Sequence, residues 1–173
     1  MADEMEQELI PNKIANSGLI TLSLEDYYPH GERKHLDIAP WLFEGMILRE
    51  KDFRESVKNY DWSAYADCYV SVGCSADAII PQWAYMLLGV SLEPYAKKTV
   101  YGSAEMLESM LLDEALKNVD FSELEDKRVI LKGCSKLPIP PHAYLNFVTR
   151  LKPVVKSLMF GEACSTVPVY KKK

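Results

Sequence analysis

Two of the four cysteines in this chain sit in the same tripeptide. Gly73-Cys74-Ser75 recurs as Gly133-Cys134-Ser135, and a third cysteine, Cys164, is also followed by a serine, Ser165. Thiolates are soft ligands of the kind that select zinc or an iron–sulfur cluster. The N–H that follows a cysteine, and a serine hydroxyl, can donate hydrogen bonds to a metal-bound sulfur and hold it in place. Three thiolates leave a tetrahedral zinc ion one ligand short. Glu105 is the candidate fourth ligand, because it precedes Cys164 by the 59 residues that separate two similar stretches of the chain. Asp77, Glu162 and His142 are alternatives. No two of the three cysteines have the short spacing of a C-x2-C pair, so nothing local forces them together. The plainer alternative is that Cys74 and Cys134 are small residues at tight turns, with Cys164 unrelated. Cys68, inside a β-rich run, reads as a small buried hydrophobe.

The similar stretches extend beyond the tripeptides. Ile80, Pro81, Ala84, Tyr85, Leu92, Pro94, Lys97 and Gly102 match Ile139, Pro140, Ala143, Tyr144, Leu151, Pro153, Lys156 and Gly161, each at an offset of 59. Tyr85 and Tyr144 then read as a matched packing pair. Lys97 and Lys156 each follow a helix and complement its negative end; near a thiolate they would also lower its pKa. His30 and His35 lie among charged neighbours and read as surface residues. His142, in the first turn of a helix, is placed to reach the loop of Cys134. No Gly-x-Gly-x-x-Gly, phosphate-loop, His-Glu-x-x-His or nucleophile-elbow pattern occurs, which weighs against nucleotide-dependent enzymes and ordinary hydrolases.

The elements that must position these residues follow from the patterning. Residues 1–12 are polar and read as a flexible lead-in; residues 13–173 read as a single α/β domain with repeat units at about 69–102 and 129–161. Leu19–Leu24 alternates as a strand, and Lys34–Ile38 is a possible return strand after the turn-like Glu25–Gly31. Trp41, Leu42, Phe43, Met46, Ile47 and Leu48 form an apolar patch expected in the core. Arg49–Tyr60 reads as a helix with Phe53, Val57 and Tyr60 on one face. Tyr69–Cys74 is a strand, Gln82–Leu92 a helix led by Pro81, and Lys98–Tyr101 a strand. Ser103 caps a helix over Ala104–Lys117, with Leu107, Met110, Leu111 and Glu114 on one stripe. Arg128–Leu131 is a strand, Pro141–Leu151 a helix and Val154–Phe160 a strand. The order predicts a mainly parallel sheet flanked by helices, with an internal β-α-β duplication. In such sheets ligands bind outside the carboxyl ends of the strands, where Cys74 and Cys134 fall. The Gln82–Leu92 helix is apolar almost all round, which asks for burial on several sides or for a partner.

Composition narrows the function class. The chain has 173 residues, 48% of them hydrophobic, and a formal net charge of −5. That suits a globular protein with a proper core and argues against a nucleic-acid partner, which would call for a basic stripe. Lys171–Lys173, the only dense basic run, reads as a solvated tail. No apolar run approaches the roughly 20 residues needed to span a bilayer, and the acidic start lacks the pattern of a secretory signal. The expectation is a cytoplasmic protein with no membrane partner, whose cysteines are reduced unless they bind metal or do redox work.

Gly73–Ile79, Trp83–Leu88, Gly133–Pro138 and Phe160–Tyr170, together with Ala15–Ile20 and Leu48–Arg54, resemble the bacterial domain-of-unknown-function family 2480. The likeness covers nearly the whole chain. The family has no established activity to carry over; the resemblance implies a gene context in which such genes are often found with the sulfur-mobilisation machinery that builds iron–sulfur clusters. The resemblance therefore implies protein partners in that machinery and an accessory role in cluster assembly or delivery. Gly73-Cys74 and Gly133-Cys134 are also similar, over a few residues, to the glycine–cysteine pair of sulfur-acceptor proteins. Three functions stay open: a metal- or cluster-binding accessory protein, with zinc or an iron–sulfur cluster on Cys74, Cys134, Cys164 and Glu105; a sulfur carrier with one reactive cysteine; and a non-catalytic interaction module with structural cysteines. An enzyme is the less favoured expectation.

Overall fold

The computed structural model describes residues 18–133, 136–162 and 165–173. Those residues form a mixed α/β structure of four α-helices and two sheets. The elements are β1 (Leu19–Leu22), β2 (Arg33–Asp37), α1 (Glu50–Asn59), β3 (Tyr69–Gly73), α2 (Gln82–Leu92), β4 (Lys98–Tyr101), α3 (Ala104–Lys117), β5 (Arg128–Leu131), α4 (Pro141–Leu151), β6 (Ser157–Glu162) and β7 (Ser165–Lys171). The expected single sheet is two: a four-stranded one in the order β1-β5-β6-β7 and a three-stranded one in the order β2-β3-β4. The chain divides accordingly into two compact units. One comprises the residues up to Asp26 with Val119–Leu137 and Tyr144–Lys173, the other Tyr27–Asn118 with Pro138–Ala143.

In the second unit all three strands are parallel. β2 is therefore not a return strand. It runs alongside β3 from Arg33↔Tyr69 to Asp37↔Gly73, and the connection holding α1 supplies the crossover a parallel pair needs. Helices cover both faces. Leu36, Ile38, Val70 and Val72 pack with Phe53 and Val57 of α1 and with Ala84, Leu88 and Leu92 of α2. On the other face Val100 packs with Leu107 and Leu111 of α3. Trp41, Phe53, Tyr60, Trp62, Tyr65 and Trp83 join the α1 side by edge and tilted ring contacts. The apolar patch expected there is only partly buried. Leu42 goes inside, but Met46 and Ile47 ride out on a tight turn in which Glu44 and Gly45 have positive φ.

α3 starts where capping chemistry allows. The Ser103 hydroxyl accepts from the Met106 N–H at 3.2 Å, and Glu105 in the first turn and Lys117 in the last complement the helix dipole. The expected stripe on α3 is corrected. Leu107 and Leu111 are buried, as are Leu112 and Leu116, whereas Met110 and Glu114 face outwards.

In the first unit β1, β5 and β6 are parallel and β7 is antiparallel to β6. Its buried side chains include Leu24, Phe121, Leu124, Val129, Ile130, Leu131, Phe147, Leu151, Val155 and Leu158. The sequence pattern predicts no strand where β7 lies, and Lys171, expected in a solvated tail, is its last residue. Its proline, Pro168, is tolerated because β7 is an edge strand.

The two β-α-β segments have numerically related geometry. β3 pairs with β4 from Tyr69↔Lys98 to Val72↔Tyr101, and β5 with β6 from Arg128↔Ser157 to Leu131↔Phe160. Asp67 N donates to Tyr95 O and Asp126 N to Val154 O. Asp67 and Asp126 have φ of 58° and 52°, and Gly102 and Gly161 have φ of 125° and 123°.

Candidate functional site at the carboxyl ends of the three-stranded sheet

β2, β3 and β4 end side by side at Asp37, Gly73 and Tyr101. Backbone bonds extend the alignment past the strand ends: Ile38 N donates to Gly73 O at 3.0 Å and Gly102 N to Val72 O at 2.9 Å. The loop after β3 is then tied down by a carboxylate. Asp37 Oδ1 accepts from the N–H of Ala39 at 3.0 Å and of Ser75 at 2.9 Å, and Oδ2 accepts from the Ser75 hydroxyl at 2.6 Å. The Ser75 hydroxyl, with the Ala39 N–H next, holds the Asp37 pKa below the usual carboxylate value. A negative charge thus anchors the residue that follows Cys74.

Strand alternation sends side chains from this rim to opposite faces. Cys74, half-buried, packs against the cluster that holds Val72, Ala84 and Leu88. His35 and Ser71 belong to the other face, where His35 Nδ1 and Ser71 Oγ are 2.8 Å apart. The His35 ring lies close over Gly73: a Cβ there would stand 3.3 Å from His35 Cε1 and 3.6 Å from Gly102 O. On the Cys74 side, Tyr85 meets Tyr101 edge to face with ring centroids 4.9 Å apart. Burial, reinforced by Tyr101 and Cys74, pushes the Tyr85 hydroxyl up to about 12. It stays protonated near neutral pH, able to donate a hydrogen bond. Tyr85 and Tyr101 line a cavity of about 360 Å³ with Ala78, Ile80 and Gln82. Ile79, between two of its lining residues, is 94% exposed, and Tyr101 is 68% exposed.

The expected thiol set is described in one member only. Cys74 stands at the strand end assigned to it; Cys134 and Cys164 lie outside the described residues. Glu105 lines a cavity with Ser103, Met106, Ser109, Met110, Asp113 and His142. Among the described residues no three of His, Cys, Asp and Glu come together to hold a metal ion. Cys68 is 1% exposed and its thiol donates to Ala66 O at 3.3 Å; burial first, then Glu32, raises its pKa. That agrees with a packing role. His30 is exposed, as expected. His35 is exposed too, but it is held by Ser71 rather than free in solvent. His142 Nε2 lies 2.9 Å from Asp113 Oδ2. Lys97 lies near the Tyr69 ring, 5.9 Å from its centroid.

Sequence reasoning missed Asp37, Tyr101 and Ile79. Asp37 was hidden because its partners come from the next strand's loop. Pro81, at the foot of α2, could have drawn attention to the apolar Ala78–Ile80 before it.

The family profile described as a protein of unknown function, DUF2480, matches residues 8–172. The chain belongs to this family. No curated protein and no solved structure gives a significant match. No helix among the described residues is long and apolar enough to cross a membrane.

Proposed function

We propose that the protein works by binding rather than by catalysis, as a cytoplasmic accessory protein that docks a protein partner on the carboxyl-end rim of the three-stranded sheet. One observation carries this reading: Ile79, almost wholly exposed, and Tyr101 flank a cavity with further apolar and aromatic lining. Large apolar side chains gathered around a concavity mark interaction surfaces, and aromatic residues dominate binding hot spots. The family likeness points to the sulfur-mobilisation machinery as the source of the partner. The test is a photo-crosslinking residue in place of Ile79, with the exposed Glu55 position as control. A discrete adduct is expected in cells from position 79, weakened by Tyr101→Ala and kept in Cys74→Ala. Equal yields from the two positions would count against the reading.

A second reading is metal or cluster binding, with zinc or an iron–sulfur cluster on Cys74, Cys134, Cys164 and Glu105. The supporting observation is that the residue after Cys74 is clamped by Asp37, which would hold the neighbouring sulfur steady. Protein purified without oxygen would contain zinc or iron, and Cys134→Ser would lose it. Metal-free wild-type protein would leave the first reading alone.

We also infer that the segments 69–102 and 129–161 are copies of one β-α-β unit. Support comes from both strand registers, both helix spans, the paired aspartates and the paired glycines, which all repeat at the sequence offset of 59.

A further inference from the structure

A second cavity of the same unit, of about 460 Å³, has a different chemistry. Its lining is Ser103, Glu105, Met106, Ser109, Met110, Asp113 and His142. Both of its hydroxyls are already engaged: Ser103 caps α3, and Ser109 donates to Glu105 O at 2.9 Å. Asp113 holds Nε2 of His142. The lining then offers two thioethers, the His142 nitrogen that Asp113 does not hold, and the Glu105 carboxylate. Met106 and Met110 are neighbours one turn apart on α3, and they are 50% and 43% exposed.

We propose that this cavity binds monovalent copper, with the sulfurs of Met106 and Met110 and Nδ1 of His142 as ligands. Thioethers are soft, uncharged donors that select Cu(I) and are poor ligands for zinc, magnesium or calcium. The Asp113–His142 bond is the outer-sphere contact that fixes the tautomer and orientation of a ligating imidazole. Glu105 and Asp113 supply negative charge that favours a cation and offsets the positive end of α3. The site uses none of the cysteines and none of the residues that line the docking cavity, so its failure and the failure of the docking reading are distinguishable.

The probe is Ag(I), a redox-inert stand-in for Cu(I), added to the full chain after its accessible thiols are blocked with N-ethylmaleimide. Methionine-methyl and histidine-ring NMR signals report the ligands directly. The Met106 and Met110 methyls and the His142 ring are expected to shift in step and to saturate at one equivalent. Met106→Leu and Met110→Leu conserve side-chain volume and keep the fold. Each, like His142→Gln, is expected to weaken Ag(I) by about tenfold or more, and Asp113→Asn by about tenfold. Met86→Leu should change nothing. The proposal is overturned if the Met46 and Met86 methyls shift as much as those of Met106 and Met110, or if Met110→Leu binds Ag(I) like wild type. A His142 response to Zn(II) with still methyls and no Ag(I) response would overturn it too.

Discussion

Glu108 is a carboxylate left 6% exposed on α3, and Arg33 is the reason it can stay there. Arg33 Nε donates to Glu108 Oε1 at 2.9 Å and Nη2 to Oε2 at 3.3 Å, while Nη1 and Nη2 also reach Gly31 O and Pro29 O. The guanidinium lies over the rings of Tyr28 and Tyr69 at 4.5 and 5.1 Å. Burial, followed by the bond to Glu108, pushes the Tyr28 hydroxyl up to about 12. Removing one partner of such a pair leaves a buried charge uncompensated, at a cost of about 3–5 kcal/mol. Arg33→Ala should therefore lower the urea midpoint strongly, and more than Glu108→Gln, which leaves no buried charge on α3. A loss below about 1 kcal/mol, the range of an exposed ion pair, would contradict this. The thiols allow a second measurement. Native alkylation followed by peptide mass spectrometry should modify the half-buried Cys74 and spare Cys68 until the chain unfolds. Equal labelling of the two would mean that the packing around Cys68 opens readily.

Helix and strand boundaries between Gln82 and Leu151 were legible because local chemistry marks them. Pro81 stands before α2, Ser103 caps α3, and apolar periodicity fills the rest. β7 was illegible for an equally local reason: Pro168 argues against a strand unless the strand is known to be an edge, and only the sheet order tells that. The exposed side of α3 escaped notice because Met110 fits an apolar stripe by spacing alone. The two glycines of the strand ends separate backbone strain from packing. Gly102 and Gly161 both have φ near 125°, where a side chain is strained. A Cβ on Gly102 would stand 3.2 Å from Cβ and Cγ of Met106, a tight contact, whereas one on Gly161 would fall 2.5 Å from the backbone oxygen of Ser165, closer than side chains approach. Gly161→Ala should therefore cost more stability than Gly102→Ala, each beyond about 1 kcal/mol. Amide exchange should also quicken along β7 in the first variant and not in the second. Similar losses for both, with β7 protection kept, would show that φ alone sets the penalty. Ser103→Ala is a smaller change of the same scale, about 1 kcal/mol for the lost cap, recovered by Ser103→Asp.

At the scale of the whole molecule the sequence yields its α/β class but not its two sheets. Pairing is non-local: β1 lies beside β5, and β2 beside β3, although β1 and β2 are neighbours in the chain. Periodicity says that a strand exists, not which strand it will join. The same limit applied to the candidate site, where Cys74 could be put at a strand end but Asp37, Tyr85 and Tyr101 could not be put around it. Charge is legible as a sum and acts through its placement. Asp37, Glu114, Asp120 and Asp126 all have lowered pKa values, with Ser75, Lys98, Ser122 and Lys172 respectively as the leading cause. A lowered folded pKa means that the unfolded chain binds protons first as pH falls. Their contribution is complete above the ordinary values of 3.8 and 4.5 and is lost as pH drops through the lowered ones. The tyrosines act in the opposite direction: Tyr28 and Tyr85, raised from 10.0 to about 12, withdraw stability as pH climbs above 10. The raised pKa of Lys172, caused first by its bond to Asp126, adds to that alkaline loss. The urea midpoint should thus be level from about pH 5 to about pH 9 as far as these groups decide it, and fall on both sides. Asp37→Asn should shallow the acid limb without moving the alkaline one, and Tyr85→Phe the reverse. A midpoint that rises between pH 5 and pH 3 would mean that self-repulsion among the 25 acidic residues outweighs these anchored carboxylates.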